Sequence, residues 1–206
     1  MASFSEMSVA QLLDALSSSE PTPGGGTAAA IAGAMGASLL VMVTGLAKSR
    51  NNTDEEKAAL GKARDVLAPL TADLARLADA DSESFNAVMA AYRLPKGSDD
   101  EKAARSRAIQ DALRGATIVP LDTLRTCADA LAQAQAVAQH GNRSAASDAG
   151  VAIVLLRAAA AGAYANVRAN LDSIKDEGFK STTDAEAARL SSAAEADAST
   201  AMQALA

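Results

Sequence analysis

Residues 27–47 read TAAAIAGAMGASLLVMVTGLA, a run of 21 residues without a charged side chain. Thirteen of them are alanine, glycine, serine or threonine, so only eight strongly apolar side chains remain. The run is long enough to cross a bilayer, but this apolar content is marginal for insertion. A helix that is apolar or small on every side is typical of the centre of a bundle. The segment therefore predicts a buried central helix.

The same helical periodicity continues through the rest of the chain. Apolar residues recur every three or four positions in each long segment, and none shows the alternation typical of strands. Capping-box patterns mark helix starts at Ser8, Thr53, Ser98 and Thr183. Six helices are predicted, at 9–16, from 27 or 28 to no later than 49, 54–93, 99–140, about 147–170 and about 184–206.

We therefore predict an all-α fold, a single domain over residues 1–206 with two central apolar helices. The second central helix is the AGVAIVLLRAAAAGAYA segment, and residues 184–206 form an outer helix. Proline lacks a backbone donor, so Pro69 is expected to kink or divide the third helix and Pro120 to interrupt the fourth.

Charge and composition exclude several classes of partner. The formal net charge is −6, which argues against nucleic acid because phosphate backbones are bound by clustered Lys and Arg. One cysteine and one histidine, Cys127 and His140, cannot build a Cys/His zinc site. The first twenty residues lack a basic leader followed by an apolar core. We expect a cytoplasmic protein that uses no metal and binds no membrane.

Asp81 is the leading candidate for chemistry. It continues the apolar stripe of the third helix four residues after Leu77, with Phe85 next on the same face. A carboxylate that faces the core must be paired, hydrogen-bonded or partly protonated with a raised pKa. Asp81 is therefore either an acid–base group or a structural bridge between helices, whereas Asp79 and Glu83 lie off the stripe and are expected to be solvated.

The PTPGGG sequence at residues 21–26 is a second candidate. Three glycines at a helix start let backbone N–H groups approach a ligand, and a side chain at Gly25 would block a positive φ or fill that space. Asp148, near another helix start, is a capping residue or a functional one. His140 is most simply a C-terminal capping cation and Cys127 a core residue.

Seven motifs taken together resemble one known family, that of methenyltetrahydrofolate cyclohydrolase and the cyclodeaminase domain of formiminotransferase-cyclodeaminase. The resemblance covers roughly residues 8–180, and its motifs occur in the order and spacing of the family. They are PTPGGG (21–26), DSESF (81–85), RLPK (93–96), VPL (119–121), GN (141–142), SDAGVA (147–152) and NVRANLDSI (166–174).

The resemblance implies a homodimer of helical bundles that acts on a tetrahydrofolate one-carbon derivative without metal or redox cofactor. Asp81 and Asp148 are then the predicted catalytic residues. Matching family positions predict substrate contacts at Arg105, Asn142 and Asn170, and the PTPGGG loop predicts contacts at Pro23, Gly24, Gly25 and Gly26. Lys48 and Arg50 keep positive charge where the family's basic run is thinned, so they either contact the substrate's glutamate carboxylates or complement the dipole at the end of the second helix.

Three functions fit this resemblance. The expected one is hydrolysis of 5,10-methenyltetrahydrofolate to 10-formyltetrahydrofolate, which the absence of a formiminotransferase domain from the sequence favours. The second is a formiminotetrahydrofolate cyclodeaminase that releases ammonia. The third is a folate-binding or scaffolding bundle without catalysis. Residues 47–53, AKSRNNT, keep this last alternative open, because the family commonly has a longer basic run and an aromatic residue there.

Overall fold

A computed structural model describes residues 3–46 and 52–206, with the side chain of Ser5 left aside. The described residues form helices joined by short turns and contain no strand. The predicted all-α class is therefore confirmed. The α-helices are α1 Val9–Leu16, α2 Gly25–Gly45, α3 Asp54–Tyr92, α4 Asp99–His140, α5 Ala146–Leu171 and α6 Glu177–Leu205.

Local sequence signals explain most of the helix ends. Ser8, Thr53 and Ser98 each form the predicted capping box, in which the N-cap hydroxyl and the side chain three residues later satisfy each other's backbone N–H groups. Gly141 ends α4, as its sequence predicts. The prediction for α6 was seven residues late, because its start is capped by Asp176, whose carboxylate accepts from the Phe179 N–H at 3.0 Å.

Pro120 does not interrupt α4, contrary to prediction, and Pro69 does not divide α3, because packing holds both long helices together. The predicted alternative for Pro69, a kink, stays a prediction. In α3 the solvent-exposed Pro69 lies between the fully buried Leu67 and Leu74. Any carbonyl that it leaves unpaired can therefore bond to water. In α4 Pro120 is itself buried, next to the almost fully buried Leu121. Burial of the surrounding apolar face thus outweighs the loss of one backbone hydrogen bond.

α2 and α5 pack against each other in opposite directions and form the middle of the bundle. Glycine permits the close approach, because a Cβ on Gly36 would lie 2.8 Å from the Ala152 carbonyl oxygen. Near the other end, a Cβ on Gly162 would lie 3.3 Å from the Cβ of Ala29. α3 pairs with α4 on one side, and α6 covers α4 and α5 on the other, which agrees with the outer position predicted for the last helix.

The sequence predicts that the central helices are buried on every side. The structure instead leaves part of each helix exposed. By length and composition both helices are apolar enough to cross a membrane. In α2, 50% of the apolar segment that meets this test is buried, and in the helix that includes α5 the buried share is 39%. Each helix leaves one apolar stripe at the surface, with Met35 and Met42 on α2 and Val151 and Val154 on α5. The apolar content of these helices thus exceeds what one copy of the bundle covers.

The N-terminal segment is tied to α3 by Asp79. Its carboxylate accepts from the Ser3 hydroxyl at 2.5 Å and from the Phe4 N–H at 2.7 Å, and the Phe4 ring is buried. Asp79 was expected to be solvated and is instead an anchor for this segment. In α1, by contrast, no residue is buried.

Candidate active site

A cleft of about 300 Å³ opens where the start of α2 meets the middle of α3 and α4 and the end of α5. Among the described residues, Asp81 is the only titratable side chain that lines it. The other lining residues are small, apolar or amide-bearing. They are Pro21, Thr22, Gly24, Gly25, Gly26, Ser84, Phe85, Val88, Leu113, Ala116, Asn166 and Asn170.

Hydrogen bonds from Thr27 hold the Asp81 carboxylate. The Thr27 hydroxyl donates to Asp81 Oδ2 at 2.9 Å, and the Thr27 backbone N–H also bonds to the carboxylate. Burial raises the pKa of Asp81, and both hydrogen bonds from Thr27 oppose that rise. The half-buried Asp81 carboxyl therefore has a higher pKa than an exposed aspartate and takes up a proton at a higher pH.

Asp81 has no cationic partner in the part of the chain that the structure describes. No ion pair within 4.0 Å joins it to a described Lys, Arg or His nitrogen. Asp81 does link α3 to α2, but through the hydroxyl and N–H of Thr27 and not through a salt bridge. A buried carboxylate without a counter-charge, open to a cleft, is typical of an acid–base group.

Gly26 lacks a side chain because Asp81 occupies the space. A Cβ at Gly26 would lie 2.2 Å from Asp81 Oδ1 and 2.6 Å from Asp81 Cγ, distances that no packed structure allows. A Cβ at Gly25 would meet only Asn166 Nδ2, at 3.9 Å. No described residue has a positive φ. Of the two reasons predicted for a glycine at position 25, the positive φ is wrong, and space for the substrate stays a prediction. The close approach that the structure shows is at Gly26, to the protein's own carboxylate.

Two asparagines from α5 line the side of the cleft opposite α3. The Asn166 amide donates to the Gly162 carbonyl at 2.9 Å, and the Asn170 amide donates to the Ala116 carbonyl at 2.7 Å. Ala116 lies four residues before Pro120, so its carbonyl is the one deprived of an intrahelical donor. Asn170 therefore replaces the hydrogen bond that Pro120 cannot make. Since both amide nitrogens donate to the protein, the two amide oxygens remain as acceptors.

Two predicted site residues lie at the far end of the bundle. Asp148 is in the first turn of α5, roughly 27 Å along that helix from Asn166 at about 1.5 Å per residue. Asn142 precedes the same helix, and its side-chain oxygen accepts from the Ser144 N–H at 3.0 Å. Within one chain the structure does not bring either residue to Asp81.

Of the predicted basic contacts, only Arg105 lies in the described part of the chain, and it is not among the residues that line the cleft. Arg105, near the start of α4, donates to the Tyr92 carbonyl at 2.9 and 3.2 Å and stacks over the Tyr92 ring, 5.7 Å from its centroid. Lys48 and Arg50 lie outside the described residues. Pro23 follows a cis peptide bond and is not among the lining residues, although its neighbours Thr22 and Gly24 are.

Thr27 and Asn166 belong to the site but were not predicted from the sequence. Thr27 is fully buried. It follows three glycines at the start of an apolar helix, and a polar side chain in such a helix needs a hydrogen-bond partner. This need is the sequence signal that could have identified Thr27. Asn166 precedes Asn170 by four residues and therefore shares its helix face. Over residues 3–46 and 52–206, no three His, Cys, Asp or Glu side chains are grouped as a metal site requires.

The fold and the cleft define a class of protein, an all-α bundle with a half-buried carboxylate beside a glycine-rich helix start. The model of the family described as formiminotransferase-cyclodeaminase matches residues 8–189 of this chain. The chain belongs to this family, and the predicted resemblance is confirmed.

Two relatives and one solved structure show how close the similarity is. A methenyltetrahydrofolate cyclohydrolase from Methylorubrum extorquens is 45% identical over 81% of this chain and 80% of its own length. A formimidoyltransferase-cyclodeaminase from Rattus norvegicus is 37% identical over 78% of this chain, which spans 30% of that longer protein. The crystal structure of formiminotetrahydrofolate cyclodeaminase from Thermotoga maritima superimposes with a TM-score of 0.86 at 27% identity, covering 98% of this chain and 96% of the other.

Proposed function

We propose that this protein is a methenyltetrahydrofolate cyclohydrolase that converts 5,10-methenyltetrahydrofolate to 10-formyltetrahydrofolate. The observation that carries the proposal is Asp81, a half-buried carboxylate in a cleft to which residues 3–46 and 52–206 contribute no other titratable group. The similarity to a cyclohydrolase at 45% identity over most of both chains supports the choice of reaction.

One carboxylate suffices for both halves of this reaction. Ionised Asp81 first takes a proton from water as the oxygen of that water bonds to the electrophilic methenyl carbon. The tetrahedral adduct then opens: its carbon–N5 bond breaks, Asp81 returns the proton to N5, and the adduct hydroxyl loses its proton as the formyl C=O forms on N10. The balance is one water consumed and one proton released. A pKa raised by burial suits Asp81 to both roles.

The rest of the cleft is suited to holding a flat heterocycle. Phe85 and Val88 form an apolar wall, and the free amide oxygens of Asn166 and Asn170 can accept hydrogen bonds from ring N–H groups. Gly24 provides no side-chain cap for α2, so N–H groups of its first turn can bind the oxygen that becomes the formyl carbonyl. The substrate contacts predicted at Gly24, Gly25, Gly26 and Asn170 are all part of this proposal.

Formiminotetrahydrofolate cyclodeaminase activity is the second candidate. The high structural similarity to the Thermotoga maritima enzyme favours it, and the same carboxylate could protonate departing ammonia. The two reactions are separated by assaying purified protein for loss of methenyltetrahydrofolate absorbance and, in parallel, for ammonia release from formiminotetrahydrofolate. Activity on neither substrate would favour the non-catalytic bundle and would refute the proposal.

We also propose a homodimer in which a second copy covers the exposed faces of α2 and α5. The exposed stripe of α5 contains no charge over Ser147, Val151, Val154, Ala158, Ala161 and Ala165. On α2, Met35, Ser38 and Met42 form a similar stripe. Uncharged stripes on two adjacent helices are typical of a self-complementary interface.

The assembly is tested with a charge placed on the stripe. Met42→Glu should convert a dimer to a monomer in sedimentation equilibrium at micromolar concentration. Val66→Glu on α3, at an equally exposed position (40% for both residues), is the matched control and should remain dimeric. A wild-type protein that sediments as a monomer would contradict this proposal.

The dimer also decides whether Asp148 and Asn142 take part in the reaction, since within one chain they are far from the cleft. If they do, the second copy must supply them, and a mixture of Asp81→Asn and Asp148→Asn proteins should regain activity that neither variant has alone. If mixing restores no activity, Asp148 and Asn142 take no part in the reaction and have only a local structural role at the start of α5. We further propose that the enzyme is cytoplasmic and acts without a metal, and that it needs no redox cofactor because neither step of the reaction transfers electrons.

A further inference from the structure

The Thr27 hydroxyl has several acceptors and a single hydrogen. Thr27 is fully buried at the start of α2, and its Oγ1 lies 2.9 Å from Asp81 Oδ2, 3.3 Å from the Ala78 carbonyl oxygen and 3.2 Å from Ser82 Oγ. Asp81 is the closest of the three. An ionised carboxylate is also the strongest of these acceptors, so the hydrogen is directed to Asp81 when Asp81 is charged.

The two Asp81 oxygens are therefore not equivalent. Oδ2 accepts from the hydroxyl of Thr27, which does not line the cleft. Both oxygens lie near Gly26, which does line it, but Oδ1 is the closer, 2.2 Å from the Cβ position of Gly26 against 2.8 Å for Oδ2. A protonated carboxyl still has a carbonyl oxygen that can accept the Thr27 hydrogen. The Thr27 bond to Oδ2 can thus persist in both protonation states, which leaves Oδ1 as the oxygen that gains and loses the proton.

We propose that Thr27 is a positioning residue for the Asp81 acid–base cycle, whose hydroxyl holds Oδ2 and thereby reserves Oδ1 for proton exchange with the reactants. The proposal deepens the proposed function and rests on it for the identity of the reactants. Ser82, whose hydroxyl contacts Thr27, is 3% exposed. When Ser82 donates to Thr27, it directs the Thr27 hydrogen to Asp81.

No other charge competes for control of Asp81 among the described residues. The first turn of α2 has no acidic residue, and the cleft residues contributed by α4 and α5 are uncharged. On α3 itself, Asp79 is bonded to the N-terminal segment and Glu83 is exposed. The hydrogen bonds that oppose the effect of burial on the pKa of Asp81 all come from Thr27.

Removing the hydroxyl should change the pH dependence of the reaction. In Thr27→Val the ionised form of Asp81 loses a donor, so the acidic limb of the kcat profile should move to higher pH by about one unit. Thr27→Ser keeps the hydroxyl and should restore the wild-type limb. Thr123→Val is the matched control, because Thr123 is also buried (3% exposed) and its hydroxyl bonds only to the Val119 carbonyl, at 3.2 Å.

A second measurement does not depend on turnover. The carboxyl ¹³C resonance of Asp81, assigned by its loss in Asp81→Asn, should titrate at higher pH in Thr27→Val and at the wild-type pH in Thr27→Ser and Thr123→Val. Thr27→Ala removes the same hydroxyl and replaces the valine variant if that one fails to fold. An unchanged Asp81 midpoint in a folded variant overturns the role of Thr27. An inactive wild type with the expected shift overturns the proposed function alone.

Discussion

Asp81→Asn is the substitution that separates catalysis from architecture. Asparagine keeps the size of the side chain and an oxygen that can accept from the Thr27 hydroxyl, but it cannot take up and return a proton. General acid–base catalysis contributes about 10²- to 10⁴-fold, so turnover of methenyltetrahydrofolate should fall by about 100-fold or more. Stability should change little, because no described cation pairs with Asp81.

The size of the stability change follows from the same contacts. Breaking a buried ion pair costs about 3–5 kcal/mol, whereas altering one hydrogen bond costs about 1 kcal/mol. In a chain of this length 1 kcal/mol shifts Tm by roughly 2–4 °C. Thermal unfolding and turnover should be measured on one preparation. A folded variant with near-normal turnover would remove Asp81 from the mechanism, and a large drop in Tm would show that its role is structural.

The pH dependence of stability gives an independent check. Folding raises the pKa of Asp81. Its favourable contribution is therefore complete below the unfolded pKa and is lost as pH rises through the folded pKa. Asparagine does not titrate, so the stability of Asp81→Asn relative to wild type should increase as pH rises above the ordinary pKa of an aspartate, about 4. A relative stability that falls over this range would refute the statement that burial dominates at Asp81.

Three further predictions concern the surroundings of the cleft. Gly26→Ala should abolish most activity because the added Cβ displaces the Asp81 carboxylate, while Gly61→Ala, on α3 and not among the cleft-lining residues, should stay active and melt at or above the wild-type Tm; equal activities in the two variants would contradict this. Asn170→Ala should lower the free energy of unfolding, measured in urea, by about 1–3 kcal/mol. The loss should be smaller in a Pro120→Ala background, where residue 120 supplies the backbone donor to the Ala116 carbonyl. Additive effects of the two substitutions would contradict the coupling between Asn170 and Pro120. Burial raises the pKa of Cys127 to about 12, so a thiol reagent at pH 8 should label it only after unfolding, and rapid labelling of native protein would contradict its burial.

Local signals allowed much of this molecule to be predicted from sequence. The capping boxes at Ser8, Thr53 and Ser98 placed three helix starts correctly, because a cap depends on residues three positions apart. The spacing from Leu77 placed Asp81 on an inward face, because side-chain direction along a helix follows from its period. The ordered motifs indicated the family, which its matching relatives confirm.

Tertiary structure decided what those residues contact. Gly26 and Asp81 are 55 positions apart, and only the packing of α2 on α3 reveals that the glycine makes room for the carboxylate. Pro120 and Asn170 are linked in the same way, through a carbonyl that neither residue carries. Such contacts join distant segments, and the energy that forms them comes from burial of apolar helix faces, which is non-directional. The sequence by itself therefore determined the helices and the acid, whereas the partners of that acid follow from how the helices pack.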